Sequence, residues 1–264
     1  MKRLMLIAPF GAMLFALSGF AEQSPFEGTW RIDMNKVQFS QKPEVYLLKD
    51  GMYSCKSCTP PYTVKADGTD QPVSGHPYYD TVAIKVVNDH QIQETDKKGG
   101  KTVATTDVVI SPDGKVANVT FTDSSNTNGG APVKGKGTST LVAKGPAGSH
   151  AVSGSWRAAK MDTITDNAIE WTYKVVGNQI TMTNPTGQSY TATFNGPDAP
   201  MKGDPGINSV SVKKMGNTFE EVDKRNGKPV GIFKVTVSAD GKTAKASYTD
   251  TRQNRTTNFD AVKK

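Results

Sequence analysis

The chain has little leucine. There are seven in 264 residues, four of them at or before position 17, against 24 valines and 29 threonines. Branched side chains lose rotamer freedom in a helix but pack well on a pleated surface. This balance excludes a helical bundle and any fold that alternates strands with long helices. Cysteine is limited to Cys55 and Cys58, and histidine to His76, His90 and His150. No Gly-x-Ser-x-Gly elbow occurs. Gly130-Ala-Pro-Val-Lys-Gly-Lys136 imitates a phosphate loop, but Gly137 stands where Ser or Thr should meet magnesium. No basic cluster is interleaved with aromatic residues, so a nucleic-acid partner is not expected. After residue 20 no apolar run is long enough to cross a bilayer.

What is present begins with a leader. Lys2 and Arg3 precede an apolar stretch from Leu4 to Phe20 that ends Gly19-Phe20-Ala21. A basic start, an apolar run and small residues two apart are the marks of a secretory signal. Cleavage after Ala21 is expected, with an exported mature chain, periplasmic or secreted. That chain would carry 30 basic against 25 acidic residues, a net +5. The opposite signs alternate along the sequence, as a solvated sheet surface requires.

The rest is a duplication. Tyr62-Thr-Val-Lys-Ala-Asp-Gly68 matches Tyr190-Thr-Ala-Thr-Phe-Asn-Gly196, and Gly75 and Pro77 match Gly203 and Pro205, all at an offset of 128. At an offset of 127, Asp96-Lys-Lys-Gly-Gly-Lys101 matches Asp223-Lys-Arg-Asn-Gly-Lys228. Ile110-Ser-Pro-Asp-Gly-Lys115 matches Val237-Ser-Ala-Asp-Gly-Lys242, and upstream Gly28-Thr-Trp30 matches Gly154-Ser-Trp156. The expected organisation is a signal peptide over 1–21, a first β unit over 22–146 and a second over 147–264.

Within each unit the apolar period is two. Val82, Ile84 and Val86 alternate with polar residues, as do Phe233, Val235 and Val237. Lys98-Gly-Gly and Arg225-Asn-Gly are hairpin turns, because Gly and Asn tolerate positive φ. About eight strands per unit are expected, with Gly145–Ser149 as linker, one helical turn between Lys160 and Ala168, and a loop from Ser124 to Gly137. The fold class is all-β: two tandem antiparallel up-and-down barrels, with two sandwiches as the alternative. On the inward face, Ala117, Val119 and Phe121, like Ala244, Ala246 and Tyr248, leave room.

Phe26-Glu-Gly-Thr-Trp30 resembles the aromatic-x-Gly-x-Trp opening of lipocalins and related calycin-type barrels, and Val152-Ser-Gly-Ser-Trp156 repeats it. The resemblance implies that Trp30 and Trp156 close one end of a barrel, and that the glycine lets another segment cross closely. It also implies a late arginine over the Trp, a place for Arg252 or Arg255 in the second unit. The first unit has no Arg between Arg31 and Arg157. The chain also resembles exported bacterial proteins that carry a duplicated unit, to which no activity is assigned.

Cys55-Lys-Ser-Cys58 reads as a local disulfide in an exported chain. A metal role would enlist His76 and His90, but a separation of fourteen positions does not suit a structural zinc site. Gly75-His-Pro-Tyr-Tyr-Asp80 shares its Gly and Pro with the second unit, while His76, Tyr78, Tyr79 and Asp80 belong to the first alone. These four are the candidate ligand-binding residues. No catalytic residue, metal or cofactor is expected. The expected function is binding of a small, partly apolar molecule. A structural or protein-interaction module of the cell envelope is the alternative, and an enzyme using the first unit's His and acids ranks third.

Overall fold

The computed structural model describes residues 24–264, so the expected leader lies outside the described residues. The first half of the chain supplies β1 (Gly28–Ile32), β2 (Glu44–Lys49), β3 (Met52–Cys55), β4 (Tyr62–Lys65), β5 (Gln71–Pro72), β6 (Thr81–Asn88), β7 (Gln91–Lys98), β8 (Lys101–Ile110), β9 (Val116–Asp123) and β10 (Val133–Lys144). The second half supplies β11 (Gly154–Ile164), β12 (Glu170–Val176), β13 (Gln179–Thr183), β14 (Ser189–Thr193), β15 (Ala199–Pro200), β16 (Ser209–Met215), β17 (Thr218–Arg225), β18 (Lys228–Val237), β19 (Thr243–Asp250) and β20 (Arg255–Lys263). The only helical turns among the described residues are 3-10 turns at Met34–Lys36 and Asp166–Ala168. The expected loop at 124–137 is shorter than read, because Val133–Gly137 pairs with β9 and Gly135–Gly137 also with β11.

The strands form two antiparallel sheets of ten. One runs β4-β3-β2-β11-β10-β9-β8-β7-β6-β5, the other β14-β13-β12-β1-β20-β19-β18-β17-β16-β15. In the first, Asp67 bridges to Lys85 and the Gly68 amide donates to the Ile84 carbonyl at 2.8 Å. In the second, Ser189 bridges to Lys202 and the Asn195 amide donates to Val212 at 2.8 Å. Each sheet is therefore a nearly closed barrel, which leaves few free edges. Each sheet has ten strands against the expected eight, and one of the two extra strands is the two-residue β5 or β15.

The barrels do not follow the repeats strand for strand. β1 lies between β12 and β20, with Trp30 opposite Trp171 on one side and Lys263 on the other. β11 lies between β2 and β10, with Trp156 opposite Glu44 and Leu141. Each repeat has given its Gly-x-Trp strand to the other's barrel. The physical reason is local pairing: β11 turns back on β10 through only nine residues, so it completes the first sheet as a hairpin neighbour. The equivalent slot beside β20 is then left for β1. Of the motif glycines, Gly154 serves close crossing as expected, with φ +147° and a Cβ that would lie 2.5 Å from the Ala143 carbonyl, whereas a Cβ at Gly28 would meet only the Lys263 side chain at 3.1 Å.

Turn chemistry holds the register. Asn226 and Gly227 both have positive φ (53° and 76°), as do Gly99 and Gly100 (55° and 77°), the signature of primed two-residue hairpins. Two apolar cores result, one per barrel. One gathers Leu48, Tyr53, Val82, Ile84, Ile92 and Trp156, the other Phe26, Trp30, Tyr173, Val210, Val212 and Phe219. Ala117, Ala244 and Ala246 are buried as expected, whereas Tyr248 is 37% exposed.

Candidate functional site

The barrel interiors differ, and the paired register shows where. Ile92, Thr106, Glu44 and Val152 in the first barrel take the places held by Phe219, Phe233, Trp171 and Phe26 in the second. In the second barrel those rings pack on one another: Phe26–Phe219 at 5.0 Å, Trp171–Phe233 at 5.8 Å and Tyr173–Phe219 at 5.2 Å between centroids. In the first barrel the smaller side chains leave a cavity of about 120 Å³. Its apolar wall includes Ile92, Val108, Ala117, Val119 and Val152, its aromatic wall Tyr46, Tyr53 and Trp156, and its polar groups Glu44, Glu94, Thr106 and Ser139. Val152 and Trp156 come from the second repeat, so the strand exchange completes this site.

Two acids face inward on β7, because Ile92, Glu94 and Asp96 share one side of the strand. The Tyr62 hydroxyl donates to Glu94 Oε1 at 3.1 Å. Asp96 lies beside the same carboxyl, with a buried Oδ1 that has no partner. The second barrel repeats the set: the Tyr190 hydroxyl donates to Glu221 Oε2 at 2.5 Å, and Asp223 follows two residues on. Burial favours the neutral form of an acid. Desolvation, with the charge of Glu94 next, pushes Asp96 up to about 8. Desolvation likewise pushes Asp223 up to about 6, against the hydrogen bond from Glu221, and raises Glu94 and Glu221 above the ordinary carboxylate range. Burial thus favours the protonated form within each coupled pair.

Of the residues expected to bind a ligand, none lines this cavity. His76 is buried, stacked on Tyr79 at 4.6 Å and edge-on to Tyr62 at 5.6 Å. Its Nε2 has no partner, and burial lowers its pKa. Tyr79 packs against the first core beside Glu94 and Asp96. Tyr78 instead reaches across to the second repeat: its hydroxyl donates to Asp204 Oδ1 at 3.0 Å, and its ring lies on Gly206, where a Cβ would come within 2.3 Å of the phenol oxygen. Asp80 accepts from the Gly99 amide at 3.0 Å and fixes the β7–β8 hairpin. The 124–132 loop docks on the second repeat as well, where Asn126 Nδ2 donates to Asp204 Oδ2 at 2.9 Å and the Gln188 amide donates back to the Asn126 carbonyl at 2.6 Å.

Trp30 and Trp156 are both buried, and each indole N–H donates to the carbonyl four residues earlier, Phe26 or Val152, at 2.8 Å. Trp30, for which the first unit has no late arginine, carries a lysine instead. Lys263 Nζ sits 4.9 Å from the ring, because β20 runs beside β1. Arg252 pairs with Asp250, and Arg255 crosses to Glu44 and the Pro43 carbonyl.

Cys55 and Cys58 form a disulfide. No group of three or more His, Cys, Asp or Glu among the described residues is placed to hold a metal. No helix among them is long and apolar enough to cross a membrane. No protein-family model matches the chain, and no curated protein matches it.

What this geometry can do is hold a small molecule against one carboxyl in an aromatic-walled chamber. His76 lies edge-on to the Tyr62 ring, whose hydroxyl reaches Glu94, but His76 itself is not among the residues that line the cavity. The site was hidden from sequence comparison because its distinguishing residues are ordinary core positions. The signal that could have found it is the repeated inward pair Glu94-x-Asp96 and Glu221-x-Asp223, set at the duplication offset.

Proposed function

We propose that the chain is an exported, lipocalin-like binding protein whose first barrel takes a small, partly apolar molecule, while its second barrel serves as a filled scaffold. The observation that carries this reading is the cavity of about 120 Å³ in the first barrel, at the places where the second has Phe26, Trp171, Phe219 and Phe233. An apolar cavity of about 150 Å³ accommodates a benzene-sized guest. The chamber therefore suits a ligand of a few heavy atoms, not a long lipid. Apolar burial supplies affinity, and a few polar groups set orientation. The disulfide and the leader sequence support an oxidising compartment outside the cytoplasm.

The test is native mass spectrometry of the protein purified from its own host, beside a Thr106→Phe variant that copies Phe233. A small adduct on the wild type that disappears in Thr106→Phe supports the reading. An adduct that survives the filled cavity places the ligand elsewhere and overturns it.

A further inference from the structure

The cavity has a chemical bias that its size does not explain. Its lining contains two acids, Glu44 and Glu94, and no Lys, Arg or His. The charge of Glu44 is met from outside, since Arg255 of β20 pairs with it. Glu94 has only neutral or acidic neighbours: Tyr62 from β4 donates to it, Tyr46 and Tyr53 flank it from β2 and β3, Tyr79 lies nearby, and Asp96 follows on its own strand. Across the chamber stand the aromatic faces. Tyr46 and Tyr53 stack at 6.1 Å, and the Trp156 indole N–H is committed to Val152, so the indole offers the chamber no free donor. A carboxyl with no cation of its own, enclosed by phenol and indole rings, is the arrangement that favours a cationic guest, through charge-assisted hydrogen bonding and cation–π attraction.

We propose that the ligand class of the first barrel is a small organic ammonium ion, its charged nitrogen on Glu94 and its short apolar body against Tyr46, Tyr53 and Trp156. This rests on the first barrel being a binding chamber. The second barrel supplies the internal contrast: Glu221 keeps its Tyr190 partner, but Phe219 and Phe233 occupy the space a guest would need.

Isothermal titration calorimetry at pH 7.5 with three isosteric probes decides it: butylammonium, 1-butanol and butyrate. Butylammonium should bind about tenfold or more tighter than 1-butanol, the difference expected of one charge-assisted hydrogen bond, and butyrate should not bind. Glu94→Gln should lose that preference and retain 1-butanol binding. Thr106→Phe should abolish both, which locates them in the chamber. Equal or tighter binding of 1-butanol by the wild type overturns the ammonium assignment and leaves the chamber standing. Butylammonium binding that survives Thr106→Phe also overturns it. Absence of binding by all three probes overturns the chamber and the assignment together. The wild-type comparison needs no variant, so it stands even if Glu94→Gln folds poorly.

Discussion

Replacing Asp223 by Asn should stabilise the protein at high pH and leave it unchanged in acid. Asp223 is 4% exposed, lies beside Glu221, and has a buried Oδ1 without a partner. Burial raises its folded pKa to about 6, with Asp204 adding repulsion, from an ordinary value of 3.8. The folded state therefore binds more protons than the unfolded state between about pH 4 and 6. Stability is fully present below pH 4, falls as the pH rises through that window, and stays lowered above it. The slope is about 1.4 kcal/mol per pH unit, so the full loss is about 3 kcal/mol. Asn keeps the shape but cannot ionise. Its advantage should be near zero at pH 3.5 and about 3 kcal/mol at pH 8, or roughly 6–12 °C in Tm for a chain of this size. Thermal unfolding followed by circular dichroism from pH 3.5 to 8.5 measures it. A difference between variant and wild type that is constant across pH would refute the argument that a buried, coupled pair is responsible.

Further outcomes follow from the same geometry. Asp96→Asn should show the same trend with its window stretched to about pH 8, since Asp96 titrates higher, and the same melts will show whether the two windows differ. Trp30→Ala should cost about 3–5 kcal/mol and should loosen the second barrel. In hydrogen exchange, protection should fall in β12 and β20, not in β2 and β10, although Trp30 belongs to the first repeat. Loss of the disulfide in Cys55→Ser/Cys58→Ser should cost less than the roughly 3 kcal/mol expected for a 15-residue loop, because only two residues lie between the cysteines. A variant that fails to fold in chemical denaturation would contradict this. Tyr78→Phe should cost only about 1 kcal/mol, because Asp204 keeps the Gly206 and Ile207 amides and Asn126 as donors, with 1-butanol binding unchanged, because the hydroxyl serves the contact between repeats and not the chamber.

The sequence carried the fold class well because its signals are local. Branched residues at period two, Asn-Gly and Gly-Gly turns, and a constant offset of 127 or 128 each constrain a strand or a hairpin directly. The exchange of β1 and β11 was not legible, since two similar strands that trade places leave every apolar pattern unchanged. Only the short β10–β11 connection hints at it. The cation on Trp30 was not legible for the same reason: once β1 lies beside β20, Lys263 is next to its ring. The candidate site was half legible. Asymmetry between the repeats pointed to the first unit, and the cavity is there. But the comparison weighed conspicuous residues, and Tyr78 and the 124–132 loop turn out to join the two repeats. The difference that opens the chamber is one of volume, Thr106 against Phe233 and Val152 against Phe26, at positions that read as unremarkable core.

The central claim is that one barrel is open and its twin is filled. Methyl-resolved NMR of the wild-type protein titrated with 1-butanol tests it most directly. The account predicts shifts that saturate at Ile92, Val108 and Val119, with Val210, Val212 and Val235 of the second barrel unmoved. Saturable shifts in the second barrel, or none in the first, would contradict it.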